Sequence, residues 1–286
     1  QGVNIVFESD FLQKDHAIMV PHTTDGRVLF AVPWNGYVVV GTTDSPMDEA
    51  LEEPVAMEEE IDFILANAGM YMTRKPSRDD IRSIFVGLRP LAADSGSGGS
   101  SGSGGAADGS QKQSTKEVSR HHKVLVSPSG LVSILGGKWT TYRKMAEDVV
   151  NTASTVGNLD EVDCTTTTTP IHGFEEQSDW SDALHVYGTD ATSIRALDPQ
   201  GNGSLSDKFM ISTNQIRWAV RHEMAMTLED VLARRSRALF LDAQEALTIA
   251  PRVARIMAEE MGQDEAWISG QISAFEQVAA SYTPKR

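Results

Sequence analysis

Gly136-Gly137-Lys138-Trp139-Thr140-Thr141-Tyr142-Arg143 follows the apolar run Leu131-Val132-Ser133-Ile134-Leu135 and precedes a helical pattern from Lys144 to Asn151. The order predicts a strand, a glycine turn and a helix start. Paired glycines let backbone approach a ligand closely, and the first helical turn offers unpaired N–H groups and a positive dipole end to an electron-rich group. An ordinary β–α turn with a capping threonine is the commoner outcome of such a stretch, so taken alone it leaves both readings open.

Working outward, Lys123 to Val126 and Leu131 to Leu135 flank Ser127-Pro128-Ser129-Gly130 and read as a hairpin whose second strand enters the glycine turn. Farther upstream, Val3 to Phe7, Ala17 to Pro21, Val28 to Pro33 and Tyr37 to Thr42 are short runs rich in β-branched and aromatic residues, separated by Asp25-Gly26 and Asn35-Gly36. Both dipeptides supply the positive φ angles of tight hairpins, so an antiparallel sheet is expected. Glu58 to Tyr71 carries Ile61, Ile64, Leu65 and Ala68 at helical spacing, and Ser77-Arg78-Asp79-Asp80 reads as a cap or turn leading into Ile81 to Leu88. Downstream, Cys164 to Pro170 is a threonine linker. Beyond Ser178, Ile216-Ala219-Val220, Leu228-Val231-Leu232, Ile249-Val253-Ile256-Met257 and Trp267-Ile268-Ile272-Phe275 recur at three- and four-residue spacing. An α-helical domain is therefore expected from about Gly173 to Tyr282, with Pro251 near the start of one helix, where a missing N–H is tolerated.

The unbroken glycine and serine run from Ser95 to Gly105 has no apolar surface to offset its ordering entropy and is expected to be a disordered insertion within 93–113. Gly102-x-Gly104-x-x-Ala107 inside it matches the spacing of a dinucleotide fingerprint, but no strand precedes it and no helix follows, so the match is accidental.

With 286 residues, 40% of them hydrophobic, the chain can bury one large core or two ordinary ones. A formal charge of −15 argues against a nucleic-acid partner and leaves only local contact with an anionic membrane surface. No apolar run approaches the roughly 18 to 20 residues of a spanning helix. The single cysteine, Cys164, excludes an internal disulfide and a cysteine zinc cluster, and no metal site is expected. Without a basic–apolar–small leader a cytoplasmic site is expected. The chain opens at Gln1 almost directly on a strand and is expected to be a fragment of something longer.

Several side chains could carry chemistry. Arg89 ends the strand-like Ile84 to Leu88, and Arg120 closes Val118-Ser119-Arg120; each is either an arginine paired with one of the many carboxylates or a fork of donors for a phosphate or developing alkoxide. Lys138 is a cation opposed to the dipole at a helix start, a local conflict that favours a functional role. Thr140 and Thr141 can cap the helix or donate to a ligand, with capping the safer role. His121 and His122 would face opposite sides of a strand, so neither is assigned. Arg217, Arg221, Arg234, Arg235 and Arg237 form a basic group that ion pairs explain in the ordinary way, the alternatives being a subunit contact, such as a homodimer, or an approach to anionic lipid.

Ala31-Val32-Pro33-Trp34, Gly41-Thr42-Thr43-Asp44, Gly87-Leu88-Arg89-Pro90-Leu91, Ser114 to Arg120 and the Gly136–Arg143 turn, in this order, resemble the flavin-linked, quinone-reducing glycerol-3-phosphate dehydrogenases, and Arg217 to Ala243 resembles the helical C-terminal domain of that family. The resemblance implies an α+β fold: an antiparallel substrate-binding sheet domain over 1–125, the last strand and helix of an FAD-binding domain over 126–158, a linker over 159–172 and an all-α domain over 173–286. It implies oxidation of glycerol 3-phosphate by hydride transfer to FAD, with electrons passed to quinone by a peripherally membrane-associated enzyme. Gly136, Gly137, Lys138, Trp139, Thr140 and Thr141 would contact FAD. Arg89 and Arg120 would bind substrate, and Arg89 and Lys138 would serve catalysis. Asn4 falls where the family often has a histidine of the substrate site; asparagine hydrogen-bonds but exchanges no proton near neutral pH, which leaves the base unassigned. The strand–GxGxxG–helix unit that holds the ADP part of FAD does not occur in the sequence, so the chain alone is expected to be inactive. Another oxidase of the same superfamily, or a flavin-free scaffold, are the alternative readings.

Overall fold

The computed structural model describes residues 1–12, 15–89 and 122–284. The glycine–serine run, its accidental fingerprint, Arg120 and His121 lie outside the described residues. The fold is α+β. In chain order its principal elements are β1 (Gly2–Glu8), β2 (Ile18–Val20), β3 (Leu29–Trp34), β4 (Tyr37–Gly41), α1 (Glu58–Ala68), β5 (Ser83–Gly87), β6 (Lys123–Val126), β7 (Val132–Leu135), α2 (Tyr142–Val156), α3 (Ala191–Ala196), α4 (Thr213–His222), α5 (Ala238–Leu241), α6 (Ala243–Met261) and α7 (Glu265–Ala279). They make two compact units, Gln1–Leu88 with Gly173–Arg286, and Arg89–His172.

In the first unit a five-stranded sheet has the order β2-β3-β4-β1-β5, with every pair antiparallel. Asn35-Gly36 closes the β3–β4 hairpin with φ of 47° and 81°, as its chemistry requires. Asp25-Gly26 is a correction. It sits inside a longer loop between Val20 and Leu29, where the Thr23 hydroxyl donates to Asp25 and to the Arg27 carbonyl.

Strand alternation sorts two apolar faces. Val3, Ile5, Phe7, Val38 and Val40 pack with Ile61, Ile64 and Ala68 of α1. On the other face Val6 and Tyr37 join the cluster of Leu228, Leu232, Val253 and Met257, so the helical segment after Gly173 shares a core with the sheet rather than standing apart from it. Backbone bonds reinforce this: the Ile84 N–H donates to the Tyr282 carbonyl at 2.9 Å and that of Ala243 to the Arg82 carbonyl at 3.1 Å.

The helices begin where side chains satisfy their first N–H groups. Ser212 and Gln215 form a capping box at α4, Asp242 accepts from Glu245 N at α6, and Asp264 accepts from Trp267 N at α7. Pro251 is also corrected: it lies in the interior of α6, because the Asp242 cap starts that helix at Ala243. A π-helical segment spans Asp230–Arg235.

The second unit contains the β6–β7 hairpin and α2, which packs on it. The helix extends past Asn151 to Val156. Among the described residues no helix is long and apolar enough to cross a membrane.

Candidate functional site

The strand–turn–helix stretch forms as its residues dictate. Gly136 and Gly137 have φ of 71° and 89°, the left-handed region that glycine alone enters without penalty. Gly137 is required for a second reason: a Cβ there would lie 2.4 Å from Met145 Sδ on α2. Lys138 is extended, at φ −139° and ψ 152°, and a 3-10 turn, Trp139–Thr141, leads into α2. The expected threonine cap is not made. Thr141 donates its hydroxyl backwards to the Lys138 carbonyl at 3.0 Å, and among the described residues no side chain caps either the 3-10 turn or α2. The start of this helical segment therefore presents N–H groups that have no intrahelical acceptor and no side-chain cap.

Lys138, Trp139, Thr140 and Thr141 are all exposed beside this start, and the Trp139 ring, 84% exposed, stacks on Tyr142 with centroids 5.1 Å apart. The next turn is occupied by ion pairs. Arg143 and Lys144 bond Glu147 at 2.8 and 2.7 Å, and Lys144 and His122 bond Asp148 at 2.9 and 2.8 Å. Hydrogen bonds from Lys144 and then His122 hold the Asp148 carboxyl below its ordinary value. His122 thus serves α2, while Lys138 takes no part in the network. An uncapped helix start, a glycine turn and an exposed cation and aromatic ring suit a flat, electron-rich group such as the ring end of a flavin.

Arg89 is half-buried just past β5 and engaged with neighbouring groups. Asn4 lies in the other unit, on β1, paired with Gly41 and Phe85. Its side chain crosses Gly41 so closely that a Cβ there would fall 2.0 Å from Asn4 Oδ1. On the same face Phe30 and Val32 are 47% and 40% exposed, leaving that end of the sheet open.

The Gly41-Thr42-Thr43-Asp44 stretch is fixed by a group that sequence reasoning missed. Glu60, 5% exposed, accepts from Thr43 Oγ1 at 2.9 Å, Ser45 Oγ at 2.6 Å, Gln1 Nε2 at 2.7 Å and Met57 N at 3.1 Å. Val3 N donates to Thr43 Oγ1 in turn. Nothing in Glu58-Glu59-Glu60 distinguishes the third glutamate before the chain folds.

Most of the basic group is paired. Arg217 meets Asp198 at 2.9 Å and Glu260 at 3.2 Å, Arg221 meets Glu260 at 2.5 Å, and Arg234 meets Glu229 at 2.6 Å and Asp230 at 3.1 Å. Arg235 donates to the Glu223 carbonyl and lies 3.5 Å from Asp230.

Residues 130–267 match the model of the C-terminal domain of alpha-glycerophosphate oxidase. The chain is 33% identical over 279 residues to the probable mitochondrial glycerol-3-phosphate dehydrogenase of Dictyostelium discoideum, covering 90% of this chain and 42% of that protein. It is 32% identical over 292 residues to the mitochondrial glycerol-3-phosphate dehydrogenase of Mesocricetus auratus, covering 92% and 37%. The chain thus spans well under half the length of these curated relatives. Its fold superposes with a TM-score of 0.77 on the glycerol-3-phosphate dehydrogenase from Bacillus halodurans complexed with FAD, at 25% identity over 99% of this chain and 56% of that one. Over the part that it spans, the chain belongs to the glycerol-3-phosphate dehydrogenase family.

Proposed function

We propose that the chain forms the substrate sheet, the final flavin-contacting turn and the C-terminal helices of an FAD-dependent enzyme that oxidises sn-glycerol 3-phosphate to dihydroxyacetone phosphate and passes electrons to quinone. The uncapped glycine turn, in a chain similar to such dehydrogenases over nearly its full length, is the observation that carries this reading. FAD, when bound, supplies the hydride acceptor. Gly136 and Gly137 allow the backbone to bend close to its ring end, and Lys138 with the N–H groups of the Trp139 turn holds it there. Thr140 and Thr141 line the same strip. Arg120 binds the substrate phosphate through charge-assisted hydrogen bonds, and Arg89 holds the C2 oxygen as alkoxide character develops. Asn4 hydrogen-bonds substrate without exchanging its proton. In the complete enzyme the chain works at the cytoplasmic surface of a membrane, through peripheral contact.

The test uses an enzyme completed with the part of the Bacillus halodurans relative that this chain does not match. A charge-assisted bond to phosphate contributes roughly 1.5 to 3 kcal/mol, so Arg120→Ala lowers kcat/KM for glycerol 3-phosphate by about ten- to a hundred-fold and erodes its preference over glycerol. Arg89→Ala lowers kcat itself, because its interaction is strongest at the transition state. An unchanged substrate preference with flavin still bound removes Arg120 from the phosphate, and a change confined to KM removes Arg89 from the reacting oxygen.

A further inference from the structure

A cavity of about 530 Å³ opens within the first unit, between the tip of the β3–β4 hairpin and the helical segment. Its apolar wall is Phe209, Ile211 and Leu241, each under 7% exposed, and Tyr187 and Gln215 stand beside them. At the outer side are Trp180 and His185, whose rings pack at 5.3 Å. A volume of this size, with an apolar wall on one side and polar and charged groups such as Gln215, Glu223 and Arg237 on the other, is that of a small-molecule site.

Most of the cations around it are held in close ion pairs. Lys208 is paired with Asp242 at 2.7 Å, Arg234 with Glu229 and Asp230, and Asp182 with Arg195. The Glu223 carboxyl lines the cavity, and burial pushes it towards its neutral form, against the opposing charge of Arg235. That leaves Arg237. It has no carboxylate partner among the described residues, its guanidinium carbon lies 5.8 Å over the Trp34 ring, and its backbone holds a left-handed φ of 60°. An arginine without glycine's freedom in that conformation is a strained residue, of the kind that clusters at ligand sites. Only Ser236 separates it from the π-helical segment Asp230–Arg235, another irregularity enriched at such sites. Arg237 thus lines a cavity with an aromatic rim as a cation that no carboxylate among the described residues meets in an ion pair.

We propose that this cavity binds a small soluble organic anion, a phosphate monoester or carboxylate carried on a flat apolar body, with Arg237 as its charge partner and Trp180 covering the ring. The site involves none of the residues assigned to glycerol 3-phosphate or flavin, so it stands or falls independently of that reading.

Phenyl phosphate, titrated calorimetrically into the 286-residue chain, is the probe. Saturable binding is expected, with phenol far weaker. Arg237→Gln weakens it about ten-fold or more, the loss typical of a charged hydrogen bond. Trp180→Ala, at an exposed position that leaves folding intact, also weakens it. Arg221→Gln, outside the cavity, leaves it unchanged. The proposal is overturned if phenyl phosphate gives no saturable heat, if phenol binds equally well, or if Arg237→Gln has no effect while circular dichroism stays native. It is also overturned if binding appears only with phosphatidylcholine vesicles carrying phosphatidic acid, because the ligand would then be a lipid surface.

Discussion

At Gly41 the absence of a side chain is a packing requirement, because Asn4 Oδ1 already fills the space a Cβ would take and the Val3 carbonyl lies 3.0 Å away. Gly41→Ala should therefore destabilise the chain by roughly 1 to 3 kcal/mol, the usual cost of overpacking. Shortening Asn4 to alanine should recover part of that loss. A denaturant-melting cycle of the two single variants and the double checks it, and strict additivity would show that the two positions do not compete for space. Glu223 offers a pH test at the same scale. Burial raises its folded value above the ordinary 4.5, so protonation favours the folded state and stability falls as pH rises from 4.5 through the folded value. Glu223→Gln should raise the melting temperature at neutral pH, with the gain vanishing below 4.5. A gain that persists in acid would assign the effect to something other than the charge.

Elements follow the same logic of local signal and distant packing. Ser212→Ala removes the cap of α4 and should cost about 0.5 to 2 kcal/mol, whereas Leu232→Ala, in the core where the π-helical segment packs, should cost about 2 to 5 kcal/mol. Equal effects in urea melts would contradict that ordering. The hairpin at Asn35-Gly36, helix α1 and the strand–turn–helix around Gly136 were legible in the sequence, because positive φ and helical periodicity are properties of neighbouring residues. Asp25-Gly26 misled because a turn dipeptide fixes a bend and not the loop length around it. Pro251 misled because the Asp242 cap, not the proline, sets where α6 begins. Thr141 could not be read at all: whether its hydroxyl points forward to cap or back to Lys138 depends on the 3-10 turn between them.

For the whole molecule, nothing local in the sequence records that Val6 and Tyr37 of the sheet meet Leu232 and Met257 of the helices in one core. The Arg237 cavity was illegible for the same reason: its walls come from Asn35, from the segment around Trp180 and from the π-helical region. The candidate flavin turn, by contrast, is contiguous in sequence, and so its residues could be named beforehand. The sequence contains no strand–GxGxxG–helix unit for the ADP part of FAD, and the chain by itself should purify without flavin colour. Stoichiometric flavin retained through gel filtration would refute that expectation.

The most direct measurement is an anaerobic titration of the completed, flavin-loaded enzyme, followed by visible absorption. Glycerol 3-phosphate should bleach the flavin band stoichiometrically, and glycerol should leave it oxidised under the same conditions. Bound flavin that glycerol 3-phosphate fails to reduce, or that glycerol reduces equally well, would contradict the account.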